Sequence, residues 1–253
     1  MRKYYIAGNW KLNPAGDPLP LIRDVKVKLT GMSKIDLMIA PPFTGIHQAA
    51  EMFKETGVHI SGQNLFWEDK GAFTGEISAA MLKAAGADTV IIGHSERRQY
   101  FGETDETVNK RTRAALNGGL IPVVCIGETL EQREKGITLD VIKTQLDGAF
   151  AGFTESELEN TIIAYEPVWA IGTGKVASPS DAQEVHEFIR RHLKQMVSAS
   201  FSDKTRILYG GSVKPDNAKG LFEQVDIDGA LIGGASLSAE SFAGIAKAAS
   251  ELS

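Results

Sequence analysis

A single cysteine, Cys125, stands in a chain of 253 residues, so no intrachain disulfide can form. It lies in the apolar run Ile121-Pro-Val-Val-Cys-Ile126, where a thiol reads as a small buried hydrophobe and not as a nucleophile. Long apolar stretches are also missing. No run approaches the ~18 residues of a membrane span, and the opening segment Met1–Trp10 holds too short an apolar run for a secretory signal. A reducing cytoplasm is the expected compartment. Basic blocks are absent: Lys and Arg number 27 against 32 Asp and Glu, for a net charge of −5 with the signs mixed. Neither a nucleic-acid surface nor a basic membrane-binding helix is expected. An anionic substrate must then be held by a local positive site, not by the global field. No P-loop, dinucleotide fingerprint or metal-ligand spacing occurs, so no cofactor and no metal is expected.

What is present is an ordinary globular composition, 43% hydrophobic and 23% charged. A chain of this length buries roughly 70–75% of its unfolded surface. Eight short apolar runs recur: Tyr4–Gly8, Asp36–Ala40, Val58–Gly62, Asp88–Gly93, Leu120–Gly127, Thr161–Tyr165, Thr205–Gly210 and Asp228–Ile232. Each is near-continuously hydrophobic, as in parallel strands covered on both faces. Amphipathic helical stretches lie between them, among them Ser78–Ala85, Glu103–Asn117 and Ser180–Ser198, the last with Ser180 read as its capping residue. Repeated strand–helix units with no Pro/Gly/Ser linker point to an α/β chain folded as one (β/α)8 barrel over residues 1–253. A doubly wound sheet is the alternative, disfavoured by eight units without a composition break.

In such a barrel the residues at the C-terminal strand ends form the site. That rule selects Asn9, Lys11, His94, Glu166, Gly210–Ser212 and Gly233–Gly234. Glu166 follows the apolar run Thr161–Tyr165, and Pro167 ends the ladder behind it, holding a carboxylate in extended backbone at a strand mouth. A surface glutamate would look the same in this segment alone. His94 precedes Ser95-Glu96-Arg97-Arg98, which reads as the first turn of a short helix. The positive end of that helix disfavours imidazolium. A structural histidine is the alternative reading. Glu96, Arg97 and Arg98 read as ion-pair partners and not as reactants. Lys11 is either a solvated loop lysine or a cation aimed at an anionic substrate, with Asn9 beside it. The pairs in Tyr209-Gly-Gly-Ser-Val213 and Leu231-Ile-Gly-Gly-Ala-Ser236 read singly as turns. After the last two strands of a barrel they suit a phosphate site, supplemented by a short helix starting near Ala235.

Six motifs then stand in order: Gly8-Asn-Trp-Lys-Leu-Asn13, Gly93-His-Ser-Glu-Arg-Arg98, Cys125-Ile-Gly-Glu128, Ala164-Tyr-Glu-Pro-Val-Trp-Ala-Ile-Gly-Thr-Gly174, Tyr209-Gly-Gly-Ser-Val213 and Gly233-Gly-Ala-Ser236. On these the chain closely resembles the triosephosphate isomerase family from Ala7 to Ser236. The resemblance implies a TIM barrel without a cofactor that interconverts dihydroxyacetone phosphate and glyceraldehyde 3-phosphate in glycolysis and gluconeogenesis. It implies Glu166 as the base, His94 as the electrophile and proton shuttle, and Lys11 as the electrostatic anchor beside Asn9. It implies phosphate contacts from Gly172, Ser212, Gly233 and Gly234, and a lid over Val168–Val176 hinged at Pro167–Trp169 and Lys175–Ala177. It also implies a homodimer through the loop 63–77, whose tip near Thr74 reaches the neighbour's site close to Lys11. The proline-rich segment Pro14–Pro20 departs from the family pattern. That family is known to pair a Glu base with a neutral His under a closing lid.

Overall fold

The structure is a computed structural model that describes residues 2–170 and 177–253. Eight parallel strands close into a barrel in sequence order: β1 (Tyr5–Asn9), β2 (Asp36–Ala40), β3 (Val58–Gly62), β4 (Thr89–Ile92), β5 (Ile121–Ile126), β6 (Ile162–Tyr165), β7 (Ile207–Tyr209) and β8 (Gly229–Ile232). Closure is by β1, which pairs with β2 through Ile6↔Leu37 and with β8 through Ile6↔Ala230.

Alternate strand residues enter two separate cores. Tyr5, Ala7, Met38, Ile91, Val123, Cys125, Ala164 and Leu208 pack together as one cluster. Ile6, Leu37, Ile39, Val90, Ile92, Val124 and Ile163 join the larger core with the surrounding helices. Both faces of each strand are therefore buried, which accounts for the unbroken apolar runs. The expected strands are all present. The second and third strands match their apolar runs, β4, β5, β6 and β8 are a residue or two shorter and β7 three, while β1 is shifted one residue on, because buried Asn9 still pairs with Ala40.

Several helices begin where a side chain caps them. Thr104 and Thr107 form a reciprocal cap on Asp105–Asn117. The expected Ser180 cap of the longest helix is corrected: the helix runs Pro179–Met196 and Ser178 caps it. Ser178 Oγ accepts from the Asp181 N–H (3.1 Å), and Asp181 Oδ2 accepts from the Ser178 N–H (3.1 Å). Pro179 then occupies the first helical position, where its missing N–H costs nothing and its fixed φ already suits the helix.

The N-terminal face of the barrel is tied by ion pairs. Arg190 meets Asp226 at 3.0 Å and Asp228 at 2.7 Å, and Arg2 meets Asp228 at 2.6 Å. No helix among the described residues is long and apolar enough to cross a membrane. The opposite face carries the polar strand ends.

Candidate active site

β1 ends at buried Asn9, and the chain turns sharply two residues on. Lys11 has φ 54°, in the left-handed region. A non-glycine residue held there costs on the order of 1–3 kcal/mol and needs outside support. Two side-chain amides supply it. Asn9 Oδ1 accepts from the Lys11 N–H (3.0 Å), while Gln63 Nε2 donates to the carbonyls of Lys11 (2.8 Å) and Ala40 (2.9 Å). The Lys11 ammonium then reaches Glu96 Oε1 at 2.5 Å.

β4 ends at Ile92, and buried His94 is the N-cap of the helix Ser95–Phe101. Its Nδ1 accepts from the Glu96 N–H at 3.2 Å. A nitrogen that accepts a backbone N–H carries no proton of its own, so the hydrogen-bond pattern assigns the proton of a neutral ring to Nε2. Nε2 lies 3.0 Å from Glu166 Oε1.

Glu166 is 2% exposed. Its N–H donates to the Ile126 carbonyl (2.7 Å), which carries the β5–β6 ladder one residue past the strand. Ser95 holds the carboxylate through its N–H to Oε2 (2.9 Å) and its hydroxyl to Oε1 (3.3 Å). The neighbouring backbone closes tightly around it. A Cβ at Gly210 would stand 2.8 Å from Glu166 Cγ, and one at Gly127 only 1.8 Å from the Glu166 carbonyl oxygen. Glycine is required at both.

These side chains line one cavity of about 250 Å³. Asn9, Lys11, His94 and Glu166 line it together with Gly210, Gly211, Ser212, Gly233, Gly234 and Ala235, and Lys214 adds a second cation. The expected helix near Ala235 is a 3-10 turn over Gly234–Leu237, closed by the Ser236 N–H (2.8 Å) and hydroxyl (2.7 Å) on the Gly233 carbonyl. First-turn N–H groups of such a helix have no partner within it and point outward. Gly172 lies outside the described residues, as does most of the expected lid, including Lys175 and Val176 of its second hinge.

Arg97 pairs with Glu103 and lies over Phe101, 4.8 Å from the ring centre. Arg98 donates to the Gly93 carbonyl (2.9 Å) and pairs with Asp105 (2.6 Å). Cys125 is buried, and burial first, then the nearby Glu166 charge, push its thiol well up, keeping it protonated.

Sequence reasoning did not pick out Ser95, Gln63 or Glu128. Glu128 is fully buried and accepts from Tyr165 Oη (3.0 Å) and Trp169 Nε1 (2.8 Å). It stands two residues past β5, and Gln63 one past β3, so the strand-mouth rule reaches both.

The chemistry open to this constellation is narrow. A buried carboxylate faces an Nε2–H donor, and an ammonium and glycine backbone line the same cavity. Such a set can move a proton beside a carbonyl, stabilise the resulting oxyanion, and grip a phosphate by its far end.

The comparisons with known proteins agree with this geometry. The family model described as triosephosphate isomerase matches residues 4–249. The chain is 55% identical over 248 residues to the triosephosphate isomerase of Citrifermentans bemidjiense, covering 98% of this chain and 99% of that protein. It is 54% identical to that of Trichlorobacter lovleyi with the same coverage. The solved triosephosphate isomerase of Bartonella henselae superimposes with a TM-score of 0.88 at 41% identity, covering 97% of this chain and 98% of that one. A barrel with these strand-end residues, matched along nearly its whole length, belongs to the triosephosphate isomerase family.

Proposed function

We propose that the chain interconverts dihydroxyacetone phosphate and D-glyceraldehyde 3-phosphate through an enediolate, as a cofactor-independent isomerase of glycolysis and gluconeogenesis. Glu166 is the base that carries a proton between adjacent carbons. His94 gives its Nε2 proton to the carbonyl oxygen and takes it back as the second carbonyl forms. Lys11, with Asn9 beside it, balances the negative charge that gathers on that oxygen. The backbone around Ser212, Gly233 and Gly234 holds the phosphate, with Gly172 as a further contact. The binding energy of this remote group helps organise the reacting end.

The observation that carries this reading is the 3.0 Å approach of His94 Nε2 to Glu166 Oε1 in the cavity that Lys11 and the two glycine pairs also line. An acid and a base set on one small substrate need that proximity. The reading assigns no step to a metal or cofactor. It also assigns the protein to the cytoplasm and to a homodimer joined through the loop 63–77.

A coupled assay on metal-free, cofactor-free protein tests the reaction. Turnover of glyceraldehyde 3-phosphate is expected, with far lower kcat/KM for unphosphorylated glyceraldehyde. Absence of the first, or equality of the two, would refute it.

A further inference from the structure

One guanidinium touches both described segments that flank residues 171–176. Arg133 lies in the short helix Leu130–Glu134. Its guanidinium sits over the Trp169 ring, 4.6 Å from the centroid. Nη2 is 3.2 Å from Asp181 Oδ1, and Nη1 is 3.7 Å from Glu128 Oε1. Asp181 passes the connection to the Ser178 N–H at the start of the helix Pro179–Met196. On the other side, Glu128 accepts the Trp169 indole, and its backbone carbonyl accepts the Val168 N–H (3.1 Å). The Ala170 N–H closes the turn on the Pro167 carbonyl (2.7 Å). The turn directly after Glu166 is thus seated on Glu128 through Val168 and Trp169, and Arg133 contacts both Glu128 and Trp169.

We propose that Arg133 is a positioning residue for Glu166. It holds the Glu128 carboxylate and the Trp169 indole together, so fixing the turn from which Glu166 is presented, and joins that turn to the first turn of the helix Pro179–Met196. The inference rests on the reading of Glu166 as the base.

Electrostatics point the same way. Burial pushes Glu128 above the usual carboxylate range, while Trp169, Tyr165 and Arg133 oppose that rise. Tyr165, Tyr209, Trp169 and Arg133 face this carboxylate, with Asp181 beyond the guanidinium. Only the ionised form accepts from both Tyr165 and Trp169 with all its oxygen lone pairs. Removing Arg133 favours the protonated form, whose O–H leaves less acceptor capacity for those two donors and weakens the seat of Trp169.

The test compares wild type, Arg133→Met, Arg133→Lys and the double variant Arg133→Met/Glu128→Gln in kcat, KM and thermal midpoint across neutral pH. Arg133→Met is expected to lower kcat roughly 10- to 100-fold, as for a misplacement below or near 1 Å, with little change in KM. The loss deepens as pH falls and Glu128 gains a proton. The double variant, which keeps an acceptor for Trp169 but has no proton to gain, removes that added pH dependence. Arg133→Lys removes it too, yet recovers only part of kcat, since an ammonium neither forks nor stacks like a guanidinium. A wild-type kcat in Arg133→Met, a loss confined to KM or to the thermal midpoint, or a pH profile parallel to wild type would overturn the proposal. A readout independent of turnover is the Trp169 indole resonance, which should move at higher pH in Arg133→Met than in wild type. An indole whose pH dependence is the same in both overturns it as well. Lack of wild-type turnover would count against the isomerase reading alone, and the indole titration would still decide the role of Arg133.

Discussion

Ser95 holds Glu166 by two donors at once, its N–H at 2.9 Å from one carboxylate oxygen and its hydroxyl at 3.3 Å from the other. His94 Nε2 then meets the oxygen that the hydroxyl touches. The carboxylate is therefore oriented by the residue that follows His94 in the chain. Glu166 and His94 are set against each other by one strand mouth and one helix start.

Glu166→Asp withdraws the carboxylate by about one methylene, out of reach of both Ser95 contacts together. A displacement near 1 Å can cost roughly 10²-fold. The loss should fall on kcat, because the proton moves only in the transition state. Steady-state kinetics of the pure variant check this, and an unchanged kcat would remove Glu166 from the role of base.

The proton of His94 should sit on Nε2 at neutral pH, because Nδ1 accepts the Glu96 N–H. Nitrogen-15 NMR of histidine-labelled protein distinguishes the tautomers by their nitrogen shifts. A protonated Nδ1 would contradict the electrophile assigned here.

Acid should destabilise the fold through a different histidine. His186 is fully buried in the helix Pro179–Met196, with Nδ1 3.2 Å from the Asp226 carbonyl and its ring edge-on to Tyr165. Burial lowers its pKa from 6.5 to about 3, against the opposing Asp226 contact and reinforced by Arg190. The unfolded chain then binds the proton first. Stability is full above pH 6.5 and is lost as pH falls toward about 3. One such proton is worth about 1.4 kcal/mol per pH unit. Urea unfolding of His186→Asn should show a pH slope shallower by about that amount than wild type between these limits. Equal slopes would show that His186 is not the group responsible.

The homodimer reading predicts a particle of twice the 27.3 kDa chain mass in light scattering. Activity should fall on dilution below the dissociation range if the loop 63–77 supports a neighbour's Lys11. A fully active monomer would show that this loop is not needed in trans.

Much of this is legible in the sequence, for a physical reason. Barrel strands are buried on both faces, so Ile121–Ile126 and Ile162–Tyr165 appear as unbroken apolar runs, and the first polar residues beyond such runs fall at the mouth. That places Asn9, Lys11, His94 and Glu166 on one face. Ser178 was harder to read, because Ser180 offers the same cap chemistry two residues later and only the backbone settles which side chain turns inward. Ser95, Gln63 and Glu128 were not legible as supports. A polar side chain at a strand mouth looks solvated until its partner is known, and the partner of Ser95 lies 71 residues away. Gln63 meets Lys11 across 52 residues. Such pairings follow from barrel closure, not from local pattern.

The glycine at 127 has a consequence for how this sequence can change. A methyl group there would fall 1.8 Å from the carbonyl oxygen of Glu166, a steric overlap with backbone that no rotamer can relieve. In a saturation library at this codon, glycine alone should survive, whatever is selected. The constraint comes from main chain touching main chain, so it would persist if Glu166 itself were exchanged for another residue. A new chemistry grown on this scaffold would therefore inherit the glycine at 127 unaltered, and would have to find its novelty in the side chains around it.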